Sequence, residues 1–330
     1  MSESIVSIRN LATHYPITGG WFGPTPVVRA LDNIDLEIKR GQFFGLVGES
    51  GSGKTTLGRA ILKAAPISAG KIIFHDGKKE FDINTLAKRD VLAFRRQAQL
   101  IFQDPYAALS PRMTVRDIIA EPLEVMKLTN SKDETNQRVR EIASECRLNV
   151  EHLRRFPHAF SGGQRQRISI ARALVANPSF MVADECVAAL DVSIQADILN
   201  LLKSLQQQRG LTFLFISHDL SVVAHVCDVV AVMYLGRLVE MAPTRKLFAK
   251  QRHPYTAALL SAIPSLDPDH HHKAIKLEGE IPSSITPPSG CRFHTRCAYA
   301  QDRCKIEIPQ WRKLDDDHSV ACHFADELDL

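Results

Sequence analysis

No part of the 330 residues is apolar for long enough to cross a bilayer. Runs such as Val229 to Leu235 stop far short of the ~18–20 residues that a membrane helix needs. Met1-Ser-Glu-Ser lacks the basic-then-apolar start of a signal peptide, so the chain is expected in the cytoplasm. Internal repeats are missing, and the only low-complexity segment is His270-His271-His272, read as a solvated linker with incidental metal affinity as the alternative. Composition has no extremes: 45% hydrophobic and 24% charged residues exclude a disordered tail protein, a collagen-like fibre and a coiled-coil rod. Also absent is the clustered Lys/Arg stripe of a dedicated nucleic-acid binder. The net charge of +4 is unevenly spread. Residues 265–330 carry 8 Lys and Arg against 12 Asp and Glu, and the rest carries 33 against 25, a mildly basic body suited to phosphate ligands or a membrane face.

The length allows one large domain or two unequal ones, and a composition shift favours two. After Pro264 the chain turns to Pro, Ser, His and Asp, and Pro282, Pro287 and Pro288 forbid a continuous helix. A boundary near residue 265 separates domains 1–264 and 265–330. Within the first, Phe180–Ala183 and Leu211–Ile216 read as buried parallel strands. Between them Val192, Ile194, Ile198, Leu201, Leu202 and Leu205 recur at helical spacing, which gives the βαβ signature of a layered α/β domain. An earlier unit runs from a strand at Phe43–Val47 into a helix over Thr55–Ala65. The pattern from Tyr106 to Glu151 is helical, so a helical insertion spans about 106–175.

Gly48-Glu49-Ser50-Gly51-Ser52-Gly53-Lys54-Thr55-Thr56 follows an apolar strand and opens a helix, the context that makes G-x-x-x-x-G-K-T a phosphate-binding loop. Glycines let backbone N–H groups close around phosphates, and the helix N-terminus adds partial positive charge. Lys54 would bridge the β- and γ-phosphates and the Thr55 hydroxyl would ligate Mg²⁺. Asp184 and Glu185 end a buried strand at the carboxyl edge, where open parallel sheets bind ligands. One carboxylate there can hold the Mg²⁺ shell and the next can polarise a water, although an acidic pair capping the next segment is an alternative. His218 follows the next strand and reaches the same edge; alone, it reads as a packing or capping residue. Ser161-Gly162-Gly163-Gln164 precedes a helix over Arg165–Val175. Ser161 is a natural N-cap and the two glycines leave the helix amides open to an anion.

With these five motifs in order, counting Gln103 in Ile101-Phe-Gln-Asp-Pro105, the chain resembles the ATP-binding-cassette ATPases over most of residues 1–250. The resemblance implies a P-loop ABC ATPase domain with a helical insertion, paired head to tail with a second cassette. Ser161–Gln164 would close on ATP held by the partner's phosphate loop. It also implies that Gln103 touches Mg²⁺ and relays its state to the helices, that Asp191 lies in the loop meeting the partner, and that Glu185 is the base. Tyr15 in Thr13-His-Tyr-Pro16 is expected to stack on adenine, with Phe22 in the insertion Gly19–Gly23 as competitor and ordinary packing as the alternative. Cys186 stands where the family usually has proline, and Ala188 where it has a small hydroxyl residue.

A narrower resemblance lies at His253–Pro264, Leu277–Pro282 and Pro287–Cys297, which look like the C-terminal extension of dipeptide and oligopeptide importer ATPases. Met113–Pro122 favours the second of two paralogous ATPase subunits. The implied partners are another ATPase chain in a heterodimer, two transmembrane permeases and, indirectly, an external solute-binding protein, with no nucleic acid. The implied place is the cytoplasmic face of the inner membrane, peripherally bound. Nickel complexes or antimicrobial peptides are alternative cargoes. A soluble ABC ATPase acting on nucleic acid or ribosomes is the reading from another class, disfavoured because the chain has one cassette and no long coiled-coil insertion. Cys291, Cys297, Cys304 and Cys322, spaced C-x5-C-x6-C-x17-C, lack the tight C-x2-C pairs of zinc ribbons. Four thiolates meet the ligand count of a [4Fe–4S] cluster, to which the resemblance also points; zinc, or free thiols and disulfides, are the alternatives.

Overall fold

The structure, a computed structural model, describes residues 4–17, 26–263 and 275–330. Met1 to Glu3, Phe22 with the Gly19–Gly23 insertion, the His270–His272 run and the boundary near residue 265 lie outside the described residues.

The strands are β1 (Ser4–Pro16), β2 (Val27–Lys39), β3 (Phe43–Val47), β4 (Ala69–His75), β5 (Glu80–Asp82), β6 (Ala98–Ile101), β7 (Phe180–Asp184), β8 (Thr212–Ile216), β9 (Val229–Tyr234), β10 (Arg237–Pro243), β11 (Arg312–Lys313) and β12 (Ser319–Val320). The helices are α1 (Lys54–Ile61), α2 (Val91–Gln97), α3 (Pro105–Ala108), α4 (Val115–Val125), α5 (Lys132–Glu145), α6 (Gly162–Leu174), α7 (Val192–Arg209), α8 (Leu220–Val226), α9 (Thr244–Ala249), α10 (Pro254–Ser261) and α11 (Asp302–Ile306). Two compact units interleave along the chain: one of residues 1–5, 39–42 and 74–215, the other of residues 6–38, 43–73 and 216–330.

In the first unit β8, β7 and β6 are neighbours in that order, and β6 pairs parallel with β7 from Ala98 opposite Phe180 to Ile101 opposite Ala183. All five residues of β7 are buried, as expected of a parallel strand covered on both faces. Phe74, Phe81, Phe94 and Phe180 form an edge-to-face and tilted aromatic cluster beside it, with centroids 5.4 to 6.3 Å apart. Thr114 caps α4 by accepting the Asp117 N–H, and Ser131 caps α5 by accepting the Glu134 N–H. Each helix buries one apolar stripe, Val115, Ile118, Ile119 and Leu123 in α4 and Val139, Ile142 and Ala143 in α5. Arg172 of α6 pairs with Glu121 of α4 at 2.7 Å.

In the second unit β3 runs parallel to β9, with Phe44 opposite Val229 and Val47 opposite Val232. An antiparallel partner, β10, follows β9 after the tight turn at Leu235 and Gly236, both at positive φ. The C-terminal residues then extend the same sheet: β12 pairs with β10, and β11 with β12. The helix expected over Thr55–Ala65 begins at Lys54 and ends at Ile61, because Lys63 takes φ +54° and turns the chain out of the helix.

The tail is fastened by more than strands. Phe293, 2% exposed, packs edge-on to Tyr234 with centroids 5.2 Å apart and beside Tyr255 at 5.3 Å. Arg292 pairs with Asp32, and buried His318 Nε2 lies 2.7 Å from buried Glu240 Oε1. The described part of residues 265–330 shares the core of this unit. Burial of a Phe side chain alone is worth ~1.5–3 kcal/mol.

Candidate active site

The phosphate-loop sequence lies in the second unit, between β3 and α1. Gly48 has φ +149°, and a Cβ there would stand 2.2 Å from the Met233 carbonyl oxygen, so no other residue fits. The Lys54 side chain, 5% exposed, folds back under the loop, where Nζ donates to the carbonyls of Gly48 at 2.7 Å and Glu49 at 2.9 Å. The Ser52 N–H also donates to the Glu49 carbonyl, at 3.2 Å, closing the turn that carries Ser50, Gly51 and Gly53. Thr55 and Thr56 lie half-buried in the first turn of α1. The loop is thus a tight glycine turn closed over a buried lysine at the N-terminus of α1, where nucleotide phosphates can be received.

Glu49 is held on each side. Its N–H donates to the Tyr255 hydroxyl at 2.8 Å, and its carboxylate receives both terminal nitrogens of Arg296, at 2.7 and 3.1 Å. Tyr255 and Arg296 were missed by sequence reasoning, since no spacing rule ties position 255 or 296 to position 49. His218 is exposed after β8, and the neighbouring Asp219 caps α8 by accepting the Ser221 and Val222 N–H groups. Tyr15 is half-buried near the end of β1.

In the first unit the buried strand β7 delivers Asp184, 6% exposed, at its carboxyl end. Glu185 follows at φ +46°, a conformation that a residue with a Cβ adopts only when its surroundings hold it there. Gln103 Nε2 donates to Glu185 Oε2 at 2.9 Å, which brings together two of the sequence-predicted residues. Cys186 is buried, and burial pushes its thiol up to about 12. The Ala188 N–H closes the turn on the Glu185 carbonyl at 3.1 Å, so the 185–188 turn forms with these two unusual residues in place. Asp191 occupies the N-cap position of α7 without a side-chain capping bond.

Ser161 and Gln164 form a reciprocal capping box: Ser161 Oγ accepts the Gln164 N–H and Gln164 Oε1 accepts the Ser161 N–H at 3.0 Å. That pairing starts α6 at Gly162, three residues before the Arg165 start expected from the apolar stripe. Gly163 lets α6 and α7 approach, since a Cβ there would stand 2.5 Å from Ile194 Cγ2. Gly162 faces open surroundings, with Leu190 Cδ2 3.6 Å from where its Cβ would be.

The four cysteines of the tail line one cavity of about 20 Å³ with Phe293, His323 and Phe324. Cys291 N–H donates to the Cys304 carbonyl at 2.8 Å. Burial, and then the neighbouring thiols, push Cys291 up to about 12 and Cys322 up to about 11. Among the described residues no three Cys, His, Asp or Glu side chains form a group that could hold a metal ion.

A buried strand, a glycine loop with its lysine, and a hydrogen-bonded carboxylate and glutamine after a second strand define a P-loop nucleotide-binding protein. Comparison with known proteins narrows the class. Residues 31–188 match the ABC transporter family, and residues 239–304 match the oligopeptide/dipeptide transporter C-terminal region. A Brucella ovis protein named as a peptide import ATP-binding protein is 50% identical over 98% of both chains. The Pseudomonas aeruginosa di/tripeptide transport ATP-binding protein DppF is 44% identical over 99% of both. Among solved structures, cbiO1 of Clostridium perfringens, part of an ABC transporter complex, gives a TM-score of 0.64 at 27% identity, covering 75% of this chain and 91% of that one. The cassette MJ0796 in a dimeric post-hydrolysis state with ADP and phosphate gives 0.63 at 28%, covering 73% and 99%. The chain belongs to the ABC transporter ATP-binding subunits of the peptide-import type, and it is an ATPase. Among the described residues no helix is long and apolar enough to cross a membrane, and the permease partners that an importer ATPase requires supply the path.

Proposed function

We infer that this chain hydrolyses ATP to drive import of dipeptides or oligopeptides, working at the cytoplasmic face of the cell membrane with a second ATPase subunit and two permeases. An external solute-binding protein would select the cargo. The observation that carries this reading is agreement over the whole chain: similarity to peptide-import ATP-binding proteins covers both the nucleotide loop and the tail.

In the mechanism that follows, the amides of residues 48–56 and Lys54 bind the ATP phosphates and Tyr15 stacks on adenine. Lys54 exchanges the Gly48 and Glu49 carbonyls for phosphate oxygens. The oxygen donors Thr55, Gln103 and Asp184 suit Mg²⁺, which when bound neutralises charge on the β- and γ-phosphates. Glu185, positioned by the Gln103 hydrogen bond, takes a proton from the attacking water. His218 orients the γ-phosphate side of the site, and Ser161 to Gln164 close on nucleotide bound by the neighbouring cassette. Hydrolysis reopens the pair, and helices within 106–175 pass that motion to the permeases.

In the domain division that accompanies this reading, residues 1–264 form the cassette and 265–330 an importer-type extension. Cys291, Cys297, Cys304 and Cys322 would hold a [4Fe–4S] cluster there, whose ligation would staple the tail. Four cysteines lining one cavity support this reading, since four thiolates meet the ligand count of such a cluster. Co-purification of the assembled complex and identification of its transported solute by mass spectrometry tests the cargo. Recovery of nickel complexes in place of peptides would overturn it.

A further inference from the structure

We propose that Arg296, in the cysteine loop of the tail, is a positioning residue for ATP: it neutralises and holds Glu49, so that the phosphate loop can accept an anion. A carboxylate within a phosphate-binding loop is an electrostatic liability, because it repels the group the loop exists to bind. Glu49 is the second residue of that loop, and its side chain is three-quarters buried. Arg296, 7% exposed, meets it with both terminal nitrogens, the bidentate geometry in which guanidinium and carboxylate pair most strongly.

The pairing is close to exclusive. Arg296 Nε is buried without a hydrogen-bond partner, and the other polar contact of the guanidinium is Tyr234 Oη at 3.5 Å. The Glu49 carboxylate has no basic partner but Arg296 among the described ion pairs. Tyr255 fixes the same residue through its amide, and the Glu49 carbonyl anchors both Lys54 and the Ser52 turn. Rotation of Glu49 would therefore disturb the loop amides directly. Arg296 lies one residue before Cys297 and five after Cys291, so the segment that carries the thiols also carries the counter-charge of the phosphate loop.

The inference rests on residues 48–56 holding the nucleotide phosphates. The test is a double-mutant cycle in the assembled transporter complex, reading kcat and KM for ATP with thermal stability alongside. Arg296→Met should raise the ATP KM about tenfold with kcat changed less than threefold. Arg296→Lys, which keeps the charge, should stay within threefold of wild type. The pair Arg296→Met with Glu49→Gln should show an ATP KM within threefold of Glu49→Gln alone, because removing the carboxylate removes what had to be neutralised. If Arg296→Met fails to fold, Arg296→Gln, which keeps a polar donor, carries the same expectation. A link that only fastens the tail would lower stability in Arg296→Met without moving the ATP KM, and that result overturns the proposal. So does an Arg296→Met effect on the KM that is as large in the Glu49→Gln background as in the wild type. Lys54→Ala, run in parallel, separates the levels: an unchanged ATP KM there would overturn the phosphate-loop assignment itself.

Discussion

Gln103 Nε2 donates a hydrogen bond to Glu185 Oε2 at 2.9 Å, joining the loop after β6 to the residue after β7. Parallel pairing of those strands sets both residues beyond the same sheet edge, and φ +46° turns Glu185 toward Gln103. The amide thus occupies one carboxylate oxygen of Glu185.

Glu185→Gln should keep ATP binding near normal and lower turnover by ~10²–10⁴, the usual effect of losing a general base. Steady-state hydrolysis and ATP binding by the assembled complex check it. Near-normal hydrolysis would remove Glu185 from that role.

Lys54→Ala should abolish nucleotide hydrolysis in the site built on this chain's loop, whereas Ser161→Arg should damage the site whose loop belongs to the neighbour. Tethered pairs of cassettes, with one substitution per chain, read this out. Both substitutions acting on one site would contradict head-to-tail pairing.

Anaerobically purified chain should be brown, with about four irons and four labile sulfides. Each single Cys→Ser change at 291, 297, 304 or 322 should lower the iron content. Colourless protein with one stoichiometric zinc would contradict the cluster.

His253 is fully buried, and burial pulls its pKa down from 6.5 to about 3. Its Nδ1 accepts the Tyr255 N–H at 3.1 Å and so caps α10 only while that nitrogen is unprotonated. A depressed folded-state pKa means that the stabilisation is complete above pH 6.5 and is lost as pH falls through 6.5 toward 3. Thermal midpoints should drop over that window, first below pH 6. His253→Asn, which retains an acceptor for the cap, should flatten the slope; an unchanged slope would remove His253 as its source.

Much of the site was legible because its chemistry is local. Gly48 to Thr56, Asp184 with Glu185, and Ser161 to Gln164 are each contiguous, and the flanking strands show as apolar runs. The strand at Phe43–Val47 coincides with its expected bounds, and the one from Phe180 extends only one residue further, to Asp184. Long-range pairings left no such trace. Arg296 with Glu49, His318 with Glu240 and β12 with β10 join residues 247, 78 and about 80 positions apart, and no periodicity encodes a partner at that distance. Burial of the tail's Phe293 and Val320 in the second unit is likewise a long-range feature that no local pattern marks.

The most direct test reconstitutes the ATPase subunits and permeases in proteoliposomes with the solute-binding protein on the opposite side and follows labelled dipeptide. Uptake should require ATP on the ATPase side, release phosphate as peptide moves, and stop when this chain carries Glu185→Gln. ATP-independent uptake, or full uptake by complexes containing the Glu185→Gln chain, would contradict an ATP-driven importer powered from this site.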